Sequence, residues 1–298
     1  MNVDWKGIMP AITTPFEEGG NVDHAFLLRH ARWMAEVGCA AIVPLGSLGE
    51  GATLELEEKH AILRTLVDGL ADVAPVVPGI AALSTQQAVA LARFAESVGC
   101  GGLMVLPPYV HKGDDREIRA HFDAVLEATD LPCMLYNNPG AYGTDVRPAA
   151  IEAMADAHPN LVAVKESSGD VRRVTEIVAR MDNRLSVFVG LDDVVVEGVR
   201  AGATGWVAGV INALPAASAR LFELASGGDR PGCDTLYRQL LPLLRMDTVP
   251  EFVQLIKLMQ QRVGMGHERV RPPRMMLIGP DRERALADID AALEQQGA

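Results

Sequence analysis

Short apolar runs alternate along this chain with longer stretches in which apolar residues recur every three or four positions, almost from one end to the other. The short runs fall near 7–13, 40–45, 75–80, 101–106, 132–136, 161–165, 185–190 and 203–208. Most are apolar throughout, as strands covered on both faces should be, and each leads into a helical pattern. Helices are expected after Val22, then over 54–70, 85–98, 115–128, 148–157, 171–181, 193–200 and 214–225. Strict alternation of strand and helix implies a parallel sheet.

An internal echo bears on how that sheet ends. Ala35-Glu36-Val37-Gly38-Cys39 leads into Ala40-Ala41-Ile42-Val43, and Ala95-Glu96-Ser97-Val98-Gly99-Cys100 leads into Gly101-Gly102-Leu103-Met104-Val105, with a weaker copy around Gly202. In each, a helix stops at a glycine that can take a left-handed cap before the next strand begins. Eight such units predict an α/β fold, a (β/α)8 TIM barrel over residues 1–228. An open doubly wound sheet, which needs only about five or six strands, is the competing architecture. From Asp229 onward the strand signals cease, and helical patterns near 231–245, 249–263 and 281–295 predict a C-terminal helical region, 229–298, packed on the barrel.

Composition narrows the function classes. With 298 residues, 49% hydrophobic and 22% charged, the chain has ordinary globular content. A net charge of -12 and the lack of any Lys/Arg-rich run argue against nucleic-acid and anionic-membrane partners. No apolar stretch approaches the ~18 residues of a membrane span, and the amino end lacks a signal-peptide pattern, so a cytoplasmic protein is expected. Cys39, Cys100, Cys133 and Cys233 are scattered and read as buried thiols in a reducing compartment. None of the seven histidines has the paired spacing of a zinc site, so no metal is expected.

In a barrel the C-terminal strand ends converge on one face, where the chemistry gathers. The second strand delivers Gly46-Ser47-Leu48-Gly49-Glu50, the fifth Tyr136-Asn137-Asn138-Pro139-Gly140, and the sixth Lys165, within Leu161-Val162-Ala163-Val164-Lys165-Glu166-Ser167-Ser168-Gly169-Asp170. A lysine at the end of an apolar strand is costly to bury charged. Its pKa falls, and a neutral amine can attack a carbonyl or imine carbon. The alternative is a lysine that reaches solvent or pairs with Glu166. The backbone N–H groups of Gly46, Leu48 and Gly49, with the Ser47 hydroxyl, can hold a carboxylate; the same residues also make a tight turn with Glu50 at a helix start. Tyr136 can relay a proton or simply pack, and Tyr109 and Tyr142 share that ambiguity.

These three motifs, in order and spacing, resemble the dihydrodipicolinate synthase/N-acetylneuraminate lyase superfamily over essentially the whole chain, beginning at Gly7-Ile8-Met9-Pro10-Ala11-Ile12-Thr13-Thr14-Pro15-Phe16. The resemblance implies a barrel with a C-terminal helical extension, a homotetramer built as a dimer of dimers, Lys165 as Schiff-base former, Tyr136 as acid/base, and Ser47 with its loop as carboxylate holder. It implies no cofactor, because the lysine adduct is itself the electron sink. Synthases of the superfamily carry two threonines where this chain has Ser47-Leu48, a second tyrosine near Val110 contributed across the dimer, and an arginine near Ala141. The run from Tyr136 to Val146 looks most like the Δ1-pyrroline-4-hydroxy-2-carboxylate deaminases. Asn138, Tyr142, Val110, Ala141 and Val207 are then the residues expected around a small 2-oxo acid or cyclic imine carboxylate. A pyruvate-dependent aldolase or synthase, and a catalytically retired binding barrel, are the competing functions.

Overall fold

The computed structural model describes residues 1–182 and 184–295; residues 296–298, the end of the expected C-terminal region, lie outside the described residues. Seven parallel strands are β1 (Gly7–Pro10), β2 (Gly79–Ile80), β3 (Leu103–Val105), β4 (Cys133–Asn137), β5 (Leu161–Glu166), β6 (Ser186–Val189) and β7 (Gly205–Ala208). They pair in the order β1-β7-β6-β5-β4-β3-β2. The gap between β1 and β2 is filled by residues 40–44, expected as the second strand. Ala11 bridges Val43 on one side and Ile42 bridges Val76 on the other, both parallel. The ring is therefore that of a TIM barrel.

The expected second and third strands are cut short by proline. Pro44, Pro75 and Pro78 have no amide hydrogen to give to a ladder. Their carbonyls still accept, from Gly79, Ile42 and Met104 at 2.9 Å or less, so the segments hold their places with few regular pairs.

Helices α1 (His24–Ala35), α2 (Leu56–Gly69), α3 (Thr85–Ser97) and α4 (Asp115–Leu126) surround the first half of the ring. A short α5 (Pro139–Tyr142), α6 (Pro148–Ala157), α7 (Arg172–Met181), α8 (Val195–Arg200) and α9 (Pro215–Gly227) follow. The starts are written in the sequence: Asp23 accepts from the Phe26 amide at 2.9 Å, and Glu55 with Glu58, like Asp114 with Glu117, closes a capping box. The glycines of the internal echo, Gly38, Gly99 and Gly202, have φ of 80°, 92° and 111°, the left-handed turn expected of them.

Helices α10 (Arg230–Leu244), α11 (Phe252–Arg262) and α12 (Gly279–Gln295) pack on one another and on α9. They are more than an appendage. Lys257 of α11 is 2% exposed and places its Nζ 2.5 Å from Glu50 Oε1, 2.8 Å from the Arg269 carbonyl and 4.5 Å from the centre of the Phe16 ring. The Arg271 amide donates to the other Glu50 oxygen at 2.9 Å, and the Arg271 guanidinium pairs with Glu58 at 2.6 and 2.8 Å. Gln260 accepts from Thr13 at 2.9 Å. The C-terminal region is thus tied through buried polar groups to the loop that follows the second strand position.

Burial lowers the Lys257 pKa to about 8, with the Glu50 carboxylate opposing. Lys257→Met should leave the Glu50 charge buried without its partner and cost about 3–5 kcal/mol. Urea unfolding curves would show it as a lower midpoint, partly restored in the Glu50→Gln/Lys257→Met double variant; a single variant as stable as the parent would mean that the pair carries no such strain.

Candidate active site

The register between β4 and β5 sets Tyr136 opposite Lys165, and that between β5 and β6 sets Lys165 opposite Phe188. Register partners on parallel strands share a face, so phenol and amine project together at the C-terminal end of the ring. The Lys165 Nζ lies 4.3 Å from the centre of the Tyr136 ring. Gly190, just past β6, makes room for them. A Cβ there would stand 1.7 Å from Ser167 Oγ and 2.8 Å from Lys165 Cε.

Lys165 lines a cavity of about 650 Å³ at this end of the barrel. Of the residues expected at the site, Gly46, Ser47, Leu48, Tyr136, Asn138, Ala141, Tyr142 and Val207 line the same cavity. Two do not. Val110 is 88% exposed, held outward by a left-handed φ of 68°. Gly49 faces the barrel backbone, where a Cβ would come 2.9 Å from the Ile12 carbonyl, and its own carbonyl accepts from Thr14 Oγ1 at 2.6 Å. Glu166, the alternative partner for Lys165, is instead held by Asn137 at 3.0 Å and the Ser168 amide at 2.7 Å.

Three phenols run along the wall. The Tyr136 and Tyr142 rings meet edge to face at 5.7 Å between centres, and Tyr142 and Tyr109 are tilted at 5.5 Å. Ser47 Oγ hydrogen-bonds the Tyr142 hydroxyl, and Asn138 donates to the Tyr136 hydroxyl at 3.0 Å. Tyr109, one residue before Val110, also lines this cavity. Asn138 also accepts from the Ala141 amide at 3.0 Å and caps α5, where Pro139 stands at the first turn. Burial raises the Tyr136 phenol to about 12 and those of Tyr142 and Tyr109 as well.

Burial is also the largest influence on Lys165, bringing its amine down to about 8 against the opposing charges of Asp247 and Asp192. Neither carboxylate was expected from the pattern of the sequence. Asp192 is fully buried and accepts from Trp206 Nε1 at 3.0 Å, the Gly209 amide at 3.1 Å and the Val210 amide at 2.8 Å. Desolvation still raises it to about 7. Asp247 reaches the cavity from the turn between α10 and α11, and burial followed by the nearby Asp192 charge pushes its carboxyl well above the usual range. Arg274 also lines the cavity, so a guanidinium is present even though position 141 holds alanine. Asp247 and Arg274 belong to the C-terminal region, which carries no β/α punctuation to mark them. Among the described residues no cluster of three His, Cys, Asp or Glu side chains could hold a metal, and no helix is long and apolar enough to cross a membrane.

A parallel barrel with a buried lysine at a strand end, walled by phenols, is the architecture of barrel lyases that act through an amine. Comparison with known proteins agrees. The model of the dihydrodipicolinate synthetase family matches residues 4–295. The 4-hydroxy-tetrahydrodipicolinate synthase of Halorhodospira halophila is 33% identical over 300 residues, covering 99% of this chain and 98% of that one. The solved 4-hydroxy-tetrahydrodipicolinate synthase of Methylacidiphilum fumariolicum SolV superposes with a TM-score of 0.93 at 27% identity, over 98% of this chain and 97% of that one. A prophage protein of the dihydrodipicolinic acid synthase family from Escherichia coli K12, solved in complex with pyruvate, gives 0.91 at 25% identity, over 97% and 98%. The chain belongs to the dihydrodipicolinate synthetase family. It is an enzyme of the class I lyase type.

Adduct formation at Lys165 should follow the neutral amine. Borohydride trapping with pyruvate is expected to speed up about tenfold per pH unit below pH 8 and to level off above it. In Gly190→Ala, with its added methyl against Lys165, trapping should fall sharply at every pH. Label on another lysine, or an unaffected Gly190→Ala, would contradict this geometry.

Proposed function

We propose that the enzyme converts Δ1-pyrroline-4-hydroxy-2-carboxylate to 2,5-dioxopentanoate and ammonia through an imine on Lys165. The observation that carries this reading is the wall opposite the lysine, where Ala141 supplies no guanidinium and the Tyr142 hydroxyl is bonded to Ser47. A compact substrate with one carboxylate and one hydroxyl matches such a wall. The carboxylate meets the Gly46-Ser47-Leu48 turn, and the hydroxyl meets Tyr142 or Asn138.

In this reading the Lys165 amine attacks the imine carbon, and the ring nitrogen leaves as the substrate's own primary amine. The cationic imine acidifies the adjacent C–H, Tyr136 relays that proton, and the hydroxyl one carbon further departs as water. Proton shifts carry the unsaturation to the amine-bearing carbon. Hydrolysis there frees ammonia, and hydrolysis at Lys165 frees the dioxo acid, so one water is consumed overall.

A second reading, condensation of pyruvate with an aldehyde, is favoured by Arg274, which offers a partner for a second carboxylate. Products separate the two: ammonia for deamination, dihydrodipicolinate or pyruvate for synthase or aldolase chemistry. Purified protein should release ammonia from the hydroxypyrroline. A protein that makes dihydrodipicolinate at ~1–1000 per second and ignores the pyrroline would reverse the assignment. Ser47→Ala should lose about 1.5–3 kcal/mol in kcat/KM for the pyrroline by removing a hydrogen bond to its carboxylate. An unchanged kcat/KM would place that carboxylate elsewhere in the cavity.

A further inference from the structure

The proposed elimination asks for two proton transfers at neighbouring carbons, and the strand ends supply one evident relay. Removing the C3 proton occupies Tyr136. The C4 hydroxyl needs a separate acid, since hydroxide is a poor leaving group. Tyr142 is bonded to Ser47, and burial makes its phenol a weaker acid than usual. Asp192 is enclosed by Trp206, Gly209 and Val210 and does not line the cavity.

Asp247 is differently placed. The 3-10 turn Arg245–Asp247 carries it in from α10, and that turn packs against the turn Asp192–Val194. Thr248 closes the turn from behind, its amide and hydroxyl donating to the Arg245 carbonyl at 3.1 and 2.9 Å. Asp247 Oδ1 lies so close over Gly209 that a Cβ there would be 2.6 Å away, and Leu48 of the carboxylate-holding turn would be 3.2 Å from the same point. Asp247 therefore lines the same cavity as Lys165, Tyr142 and Asn138. Its charge is the largest electrostatic influence on Lys165 and is also felt at Tyr136. The Asp192 backbone amide donates to its carboxyl, no side chain among the described residues pairs with it, and Lys165, Asp192 and Asp193 are the charged groups around it.

We propose that Asp247 is the catalytic acid that protonates the departing C4 hydroxyl, a role that rests on the deaminase reading. The proton moves from the Asp247 carboxyl to the hydroxyl oxygen. The C4–O bond breaks with its electron pair on that oxygen, which leaves as water. The enamine pair between C2 and C3 becomes the C3–C4 double bond while the C2–nitrogen bond regains its iminium character. Asp247 is left as carboxylate, able to take up a proton in the later shift from C5. Burial suits it to the first task, because it pushes the carboxyl well above its ordinary range and so favours the protonated form.

The test compares two leaving groups. Wild type, Asp247→Asn and Asp247→Glu are assayed with the 4-hydroxy pyrroline by ammonia release and with its 4-fluoro analogue by fluoride release, which needs no proton from the protein. Asp247→Asn should lose about 10²–10⁴-fold in kcat on the hydroxy substrate. It should stay within a few-fold of wild type on the fluoro analogue and still trap pyruvate on Lys165, with Asp247→Glu intermediate on the hydroxy substrate. An Asp247→Asn enzyme that deaminates normally, is equally slow with both leaving groups, or no longer traps pyruvate overturns the role alone. A wild type that traps pyruvate but releases ammonia from no hydroxypyrroline overturns the deaminase reading, and this role with it.

Discussion

The site depends on a buried ion pair between Glu50, which lines the cavity, and Lys257. It joins the end of the cavity-lining turn to a helix 207 residues later in the chain, at 2.5 Å and with both side chains essentially removed from solvent. Two desolvated charges are retained only if their geometry is good and their remaining hydrogen bonds are met. Here the Arg271 amide and the Arg269 carbonyl meet them. The consequence is positional. With α11 anchored to the turn, the segment before it, from Asp247 to Pro250, covers one side of the cavity.

That closure shapes the electrostatics around Lys165. An amine at a strand end in an open barrel mouth would keep its solvent and its proton. With phenols on one side and the C-terminal segment on the other, desolvation outweighs two nearby carboxylates and the amine moves toward neutrality. The same desolvation pushes the Asp247 carboxyl and the Tyr136 phenol above their ordinary ranges. An amine shifted toward neutrality thus shares a cavity of about 650 Å³ with a carboxyl and phenols shifted toward their protonated forms.

The barrel was legible because its signals are local. Apolar runs, helix caps and the recurrent glycine turns each operate within a few residues, and Lys165, Tyr136 and Ser47 sit at the ends of such units. The second and third positions, expected as full strands at 40–45 and 75–80, are instead shortened, because Pro44, Pro75 and Pro78 lack ladder donors while the periodicity there reads as uninterrupted strand. Tyr109 and α5 had weaker marks, an aromatic beside Val110 and an Asn-Pro start.

Asp247, Asp192 and Arg274 had none that could be read. Asp247 lies in a turn between two amphipathic helices, where an acidic residue ordinarily faces water. Only the docking of α11 through Glu50 and Thr13 turns it toward Lys165. Val110 and Gly49 show the converse: sequence neighbours of cavity residues turned away by one backbone angle or one close approach. The sequence by itself determined which segments become strands and helices, and that a lysine, a tyrosine and a serine turn arrive at one end of a ring. Tertiary structure decided which distant side chains close over that end and what charge each carries there, because desolvation and Coulomb coupling depend on distances between groups that the chain separates by tens to hundreds of residues.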